Sequence, residues 1–192
     1  FSWPSRGGVL DYSADEATIT ASVEPLADFL EWLVTRSGAE RVHLFVHSMG
    51  NRGLLAALER LAARQRPPLR LGQVFFCAPD EDVRTFADKT RLFPQHCENR
   101  TLLVSPDDRA VALSRWKHQS PRAGIVPPFQ PYAGIETIEV TGFGLLDLGH
   151  GSFAESEPVI LDLREAIESR RPAGERQGPR RVEGRLVIDV RQ

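Results

Sequence analysis

Apolar residues follow two different spacings along the chain, and the two spacings alternate. Continuous apolar runs at residues 41–46, 71–77, 101–104 and 135–140 are typical of strands buried on both faces. Between these runs, apolar residues recur every three or four positions, which is typical of amphipathic helices. This spacing predicts helices from Ser13 to about Gly38 and at about 51–63, 82–87, 110–116 and 159–167. Strands that alternate with helices predict an α/β protein with a mostly parallel sheet and helices on both faces.

The start of the chain carries several local signals. Phe1 to Ser5 is expected to be the end of a strand. Ser13 and Glu16 form the pattern of a capping box, so we expect the first helix to begin there. Pro25 is expected to kink this helix or to mark the point where it restarts.

Ser48 lies between a predicted strand and a predicted helix. Such a strand-to-helix turn exposes a serine hydroxyl at the carboxyl end of a parallel strand, and the helix then points its first N–H groups at a developing oxyanion. In the pattern G-x-S-x-G, Gly50 fits but Val46 stands in place of the first glycine. An alternative is that Ser48 only caps the helix. The pentapeptide alone leaves both interpretations open.

A serine nucleophile needs a base and an acid, which alpha/beta hydrolases supply in the order serine, acid, histidine. Asp107 and Asp108 follow the predicted strand at 101–104, and Asp80 follows the strand at 71–77. His150 lies in a glycine-rich loop after the strand at 135–140. His150 is the preferred base because of its place in this order. The other histidines lie inside the strand, beside the serine or in helix-loop connections.

Composition excludes several other classes of function. The formal net charge of −2 gives no footprint for nucleic acid or an anionic membrane. No run approaches the 18 to 20 apolar residues, roughly, of a transmembrane helix. Cys77 ends a buried strand and Cys97 lies in a loop beside His96, which is neither a disulfide framework nor a zinc spacing. We expect no cofactor and no metal.

The predicted domain organisation has three parts. Residues 1–168 form the core, residues 169–184 form a solvated basic linker or tail rich in Arg, Pro and Gly, and residues 185–192 resemble an extra strand. That strand either adds an edge to the sheet or begins a further segment. The chain starts with Phe1 and its only methionine is Met49, so we expect a fragment or a processed product. Localisation stays open, with the cytoplasm as the default expectation.

Five separated motifs occur in one order: Phe1-Ser2-Trp3-Pro4-Ser5, His47-Ser48-Met49-Gly50-Asn51, Ala78-Pro79-Asp80, Ser105-Pro106-Asp107-Asp108-Arg109-Ala110 and Leu148-Gly149-His150. On these motifs the chain resembles the bacterial alpha/beta hydrolase family of unknown function, from Phe1 to about Ile167. The resemblance implies an alpha/beta hydrolase fold. It also implies that Ser48 is the nucleophile, Asp108 rather than Asp107 is the acid, and His150 is the base.

The resemblance further implies a fold that lacks its first strands. Members of the family begin with earlier strands and a His-Gly loop that supplies half of the oxyanion hole, so only the N–H of Met49 is expected here. The strand at 41–46 is expected to have an unpaired edge for the same reason.

We therefore expect a serine hydrolase that acts on a small ester or related acyl substrate through an acyl-enzyme. Acyl transfer to an acceptor other than water would use the same residues. The alternative is a non-catalytic binding or scaffold domain with a vestigial serine.

Overall fold

The structure, a computed structural model, describes residues 1–6, 11–65, 67–108, 111, 114, 119–143 and 152–191. Helices and strands alternate in the order α1 (Tyr12–Ala21), α2 (Val23–Arg36), β1 (Leu44–His47), α3 (Gly50–Ala63), β2 (Leu71–Cys77), α4 (Val83–Lys89), β3 (Cys97–Val104), β4 (Glu136–Thr141), α5 (Glu157–Ser169), β5 (Arg180–Val182) and β6 (Arg185–Asp189). Short 3₁₀ helices occur at Thr90–Gln95, Ser152–Ala154 and Ala173–Glu175.

The strands form one sheet in the order β1-β2-β3-β4-β6-β5. Neighbouring strands are parallel, except that β5 runs antiparallel to β6. Because β1 to β4 and β6 are parallel, the carboxyl ends of these strands lie side by side along one edge of the sheet, which runs across the strands. Functional groups that follow these strands are therefore gathered at that edge.

The sheet has an apolar core on each face, since successive residues of a strand point to opposite sides. In β2, Val74 and Phe76 pack with α2 and α3, whereas Phe75 and Cys77 pack with α5. All seven residues of β2 are buried. This explains why the continuous apolar run at 71–77 predicted the strand with its observed bounds.

Several expectations for the start of the chain are wrong. Residues 1–6 are not in a strand, and α1 begins at Tyr12 after Asp11, without a capping side chain. The Glu16 carboxylate binds the Arg52 guanidinium at 2.7 Å, so it is engaged in a tertiary ion pair. The expectation that Pro25 marks the restart of the helix is confirmed, because α1 ends at Ala21, α2 begins at Val23, and the proline lies in the first turn of α2. Cys97 is the first residue of β3 rather than part of a loop.

The basic segment after α5 is also not simply solvated. Ala173 and Arg176 are buried, and Arg176 pairs with Asp162 of α5. The segment leads into β5 and β6, and β6 pairs with β4 while β5 forms the outer strand. The opposite edge of the sheet is β1, which pairs only with β2 among the described strands. Phe45 on β1 is 42% exposed.

Candidate active site

Ser48 joins β1 to α3 in a backbone conformation that non-glycine residues rarely adopt. Its φ is +52°, in the left-handed region. The Ser48 N–H donates to the Cys77 carbonyl at 3.0 Å, and the Ser48 carbonyl accepts the N–H of Asn51 at 3.1 Å. This turn has the geometry of a nucleophile elbow. The alternative that Ser48 caps the helix is wrong, because Met49 is the N-cap residue and no side chain caps α3.

Val46 fits the elbow without a clash. Even a Cβ atom built on Gly50, the other flanking position, would lie 3.6 Å from Val46 Cγ1, which is ordinary van der Waals contact. Val46 itself packs against the core beneath α2 and α3. The departure from G-x-S-x-G at this position is therefore compatible with the turn.

The backbone N–H of Met49 lies at the amino end of the fourteen-residue helix α3. The first turn of this helix contains no acidic residue, so no side-chain carboxylate of that turn offsets the positive end of the helix dipole. An anion that forms beside Ser48 would meet this positive end. The Met49 side chain is buried in the core.

Asn51 is a site residue that the sequence analysis did not single out. It is completely buried, and its Nδ2 donates to the carbonyls of Ser48 at 2.9 Å and Val46 at 3.1 Å, with a longer contact of 3.4 Å to that of Cys77. The amide thus links the end of β1, the elbow and the end of β2. A polar residue three positions after the serine, on the buried face of a helix, was the available signal.

Asp108 and Asp107 occupy different environments at the end of β3. Asp108 is completely buried, and its Oδ1 accepts the N–H of Val111 at 2.9 Å. Asp107 is exposed, and its Oδ2 accepts the N–H of Gly142 at 3.2 Å, just beyond β4. A buried carboxylate is the kind that orients an imidazole in a triad, so burial favours Asp108 over its neighbour.

Asp80, the fallback candidate, is held in a polar cluster of its own. Its carboxylate accepts hydrogen bonds from the hydroxyls of Tyr12 and Ser114, and lies 3.4 Å from Arg52 Nη2 and 3.6 Å from Arg122 Nε. Burial, followed by the charge of Asp80, raises the pKa of Tyr12, so the phenol stays protonated as a donor. Asp80 is thus already engaged on both carboxylate oxygens.

A strap, which we define as residues 121–126, covers the carboxyl ends of β2 and β3. Gly124 donates its N–H to the Pro79 carbonyl at 2.9 Å and accepts the Ser105 N–H at 3.3 Å. A Cβ atom at Gly124 would lie 2.4 Å from the Ala78 carbonyl carbon, so only glycine fits. Arg122 of the strap faces Asp80, which places the Asp80 cluster against this segment.

The structure describes three of the five histidines, namely His43, His47 and His96. His150 lies outside the described residues, as does His118. His96 accepts the Leu69 N–H on Nδ1 at 3.0 Å, and His43 accepts the Gln73 N–H in the same way at 3.0 Å. Each imidazole thus accepts a backbone N–H near the amino end of β2. His47 is the last residue of β1, beside Ser48.

The described parts of the chain contain neither a metal site nor a membrane-spanning helix. In those parts, no group of three or more His, Cys, Asp or Glu side chains is arranged to hold a metal ion. No helix within the described ranges is long and apolar enough to cross a membrane.

A mostly parallel sheet with helices on both faces, in which a serine with positive φ joins a strand to a helix, defines an alpha/beta hydrolase fold. The chain belongs to the family of alpha/beta hydrolases of unknown function (DUF900), which matches residues 1–171. This family membership confirms the resemblance and the fold class that the sequence predicted.

Comparison with curated proteins gives a shorter match. The chain is similar to the uncharacterized protein alr1448 of Nostoc sp. (strain PCC 7120 / SAG 25.82 / UTEX 2576), with 33% identity over 73 residues. The matched stretch covers 38% of this chain and 19% of the Nostoc protein, so the chain spans much less than the length of this relative. No solved structure matches the chain.

Proposed function

We propose that this protein is a serine hydrolase that acts on an ester or related acyl substrate, with Ser48 as the nucleophile. The observation that carries the proposal is the backbone of Ser48, which has a φ of +52° at the junction of β1 and α3. A strained conformation of this kind persists where the surrounding structure enforces it, and such sites cluster where function requires them. The strain is consistent with a hydroxyl that has to be presented at the edge of the sheet.

The proposed chemistry proceeds through an acyl-enzyme. His150 takes the proton of the Ser48 hydroxyl while Oγ attacks the acyl carbon, and the carbonyl oxygen becomes an oxyanion that the Met49 N–H stabilises. The intermediate then expels the alcohol, which receives the proton from His150. Water, activated by the same imidazole, releases the acid and restores Ser48. Asp108 would hold the imidazole in the required tautomer.

The order of strands supports this assignment of the acid. Ser48 follows β1 and Asp108 follows β3, with β2 between them. Two strand spacings amount to about 10 Å. The serine and aspartate side chains cover part of this gap, and an imidazole with one hydrogen bond on each side spans the remainder. His150 follows β4, the strand next to β3, so its loop starts at the same edge of the sheet.

A fluorophosphonate probe tests the nucleophile on the full-length protein. We expect the probe to label the parent protein and the control Ser37→Ala, which changes an exposed serine at the carboxyl end of α2, but not Ser48→Ala. Hydrolysis of short-chain p-nitrophenyl esters should be lost in the same variant. Labelling that persists in Ser48→Ala would place the nucleophile elsewhere.

The same assay separates the alternatives. A full-length protein that is neither labelled nor active on acyl esters, and whose ligand binding is unchanged in Ser48→Ala, would be a binding or scaffold domain. Labelling together with an acyl product formed on an added amine or alcohol, in preference to the free acid, would indicate acyl transfer.

A further inference from the structure

We propose that Asn51 is a positioning residue that aims and polarises the Met49 N–H, the oxyanion donor in the proposed function on which this inference rests. The inference concerns one peptide group, formed by the carbonyl of Ser48 and the N–H of Met49. Asn51 does not touch the substrate in this assignment. It acts through the peptide that it binds.

The carbonyl of Ser48 is held by three donors. It accepts the Asn51 side-chain Nδ2–H at 2.9 Å, the Asn51 backbone N–H at 3.1 Å and the Asp80 backbone N–H at 3.3 Å. A peptide group is planar and trans, so its N–H points opposite to its C=O. Fixing the direction of the Ser48 carbonyl therefore fixes the direction of the Met49 N–H.

The orientation of the Asn51 amide follows from its surroundings. Three carbonyl oxygens converge on one end of the amide, so this end must be the NH₂ group and not the oxygen. Asn51 Oδ1, at the other end, is buried and has no hydrogen-bond partner among the residues that the structure describes. A buried acceptor without a partner is costly, which calls for an explanation. The explanation that we infer is that the amide is needed for its NH₂ group, which donates to the carbonyls of Val46 and Ser48.

The bonds to the Ser48 carbonyl also affect the strength of the donor. Hydrogen bonds in series polarise one another, so a peptide whose C=O accepts several bonds has a more strongly donating N–H. The Met49 N–H is at the amino end of α3, where the helix dipole acts in the same direction. Both effects stabilise negative charge that is present only in the transition state and the tetrahedral intermediate.

An interaction realised only in the transition state changes kcat and leaves KM unchanged. Removal of a whole oxyanion donor costs about 10²- to 10³-fold in kcat. Misdirecting a donor that is still present should cost less. We expect Asn51→Leu, which keeps the number and branching of the side-chain heavy atoms but removes the donor, to lower kcat by about 10- to 100-fold, with KM within about twofold of the parent value.

The test compares full-length variants on a p-nitrophenyl ester, with kcat expressed per site that a fluorophosphonate finally labels. This normalisation removes any misfolded fraction. The matched control is Thr90→Val, which removes a buried hydrogen bond from Thr90 Oγ1 to the Phe86 carbonyl at 2.7 Å, away from the elbow. Its kcat per labelled site should equal that of the parent.

A second variant, Asn51→Asp, gives a readout that a merely structural role would not move. The ionised carboxylate has no proton to donate and faces three carbonyl oxygens, whereas the protonated acid can donate one hydrogen bond to the Ser48 carbonyl. The ratio of its kcat to that of the parent should therefore rise as the pH is lowered. Taking the ratio cancels the titration of the shared base.

Two results would overturn the inference. One is an Asn51→Leu variant whose kcat per labelled site matches that of Thr90→Val; the other is an Asn51→Asp ratio that does not change with pH. Failure of the proposed function gives a different result, since either the parent protein would be neither labelled nor active, or Ser48→Ala would retain activity or labelling. An inactive Ser48→Ala with a fully active Asn51→Leu rejects only the role of Asn51.

Discussion

Asp162 of α5 and Arg176, which follows that helix, form a buried bidentate ion pair. Arg176 Nε donates to Asp162 Oδ1 at 2.9 Å and Nη2 donates to Oδ2 at 3.2 Å, and both side chains are at most 1% exposed. The pair fixes the basic segment against α5, and this segment leads into β5 and β6. This buried contact therefore adds to the pairing of β6 with β4 in holding the outer part of the sheet.

Breaking this pair on one side should destabilise the fold. Asp162→Ala leaves the Arg176 guanidinium buried without its partner, so we expect the free energy of unfolding to fall by about 3–5 kcal/mol. The double variant Asp162→Leu/Arg176→Met should recover most of the loss, because it removes both charges. Urea denaturation measures both values. The exposed pair Arg164–Glu168 is the control, and Arg164→Ala should leave the unfolding curve unchanged.

The two buried carboxylates at the sheet edge should respond differently to substitution by asparagine. Asp108→Asn should lower kcat on the order of 10³- to 10⁴-fold, because the base would lose the acceptor that sets its tautomer. Asp80→Asn should leave kcat per labelled site within a fewfold of the parent value. It should lower the free energy of unfolding by about 3 kcal/mol, because Arg52 and Arg122 lose their buried counter-charge.

Esterase kinetics and urea denaturation of the variants Asp108→Asn and Asp80→Asn decide which of the two carboxylates is the acid of the triad. The exposed Asp107→Asn is the control, and it should change neither quantity appreciably. A large loss of kcat in Asp80→Asn, with Asp108→Asn active, would transfer the role of the acid to Asp80.

Stability should fall as the pH drops below about 6.5 because of two histidines. Burial lowers the pKa of both His43 and His96 from the ordinary value of 6.5, and each Nδ1 accepts a backbone N–H, which requires the neutral ring. As the pH falls, the unfolded chain binds these protons first, so stability is complete above pH 6.5 and declines below it.

His96→Asn tests this pH dependence, because the asparagine oxygen can still accept the Leu69 N–H but does not titrate. The difference in unfolding free energy between pH 7.5 and pH 5.5 should be smaller in the variant than in the parent. Equal differences would mean that His96 does not contribute to the acid sensitivity.

Two glycines near the site should tolerate alanine very differently. Gly124→Ala places a Cβ atom 2.4 Å from the Ala78 carbonyl carbon, and backbone atoms cannot move aside as a flexible side chain does. The strap would have to shift, so we expect a loss of several kcal/mol or failure to fold. Gly50→Ala meets only ordinary contact with Val46 and lies in α3, so it should be neutral or stabilise by up to about 1 kcal/mol.

Thermal unfolding of these two alanine variants is a sufficient measurement. If Gly124→Ala unfolded at the parent temperature, the close approach of the strap to Ala78 would be wrong. If Gly50→Ala were strongly destabilised, the room that we assign to Val46 at the elbow would be wrong.

Much of the fold could be predicted from the sequence because its central strands are buried on both faces. The run at 71–77 coincides with β2, and the helix expected at 51–63 is α3. The capping box of Ser13 and Glu16 was predicted wrongly: α1 has no capping side chain, and the Glu16 carboxylate binds Arg52, which is 36 residues away in sequence. A local pattern contains no information on such a competing partner.

The candidate site shows the same division between local and distant contacts. The position of Ser48 between a strand and a helix was visible in the apolar pattern. Asn51 was not recognised, because its role depends on carbonyls of Val46 and Cys77 that only the folded sheet brings together. The roles of Asp80, Asp108 and His150 stay proposals.

The sequence by itself determined the order of strands and helices, the parallel sheet and a serine at the elbow, because these follow from periodicity and from neighbours within a few residues. Only the tertiary structure decided that Asp80 is engaged by Tyr12 and two arginines, that Asp108 is buried, and that β6 lies beside β4. Each of these depends on groups that are distant in the chain. Their energies come from burial and charge pairing that exist only after the sheet has formed.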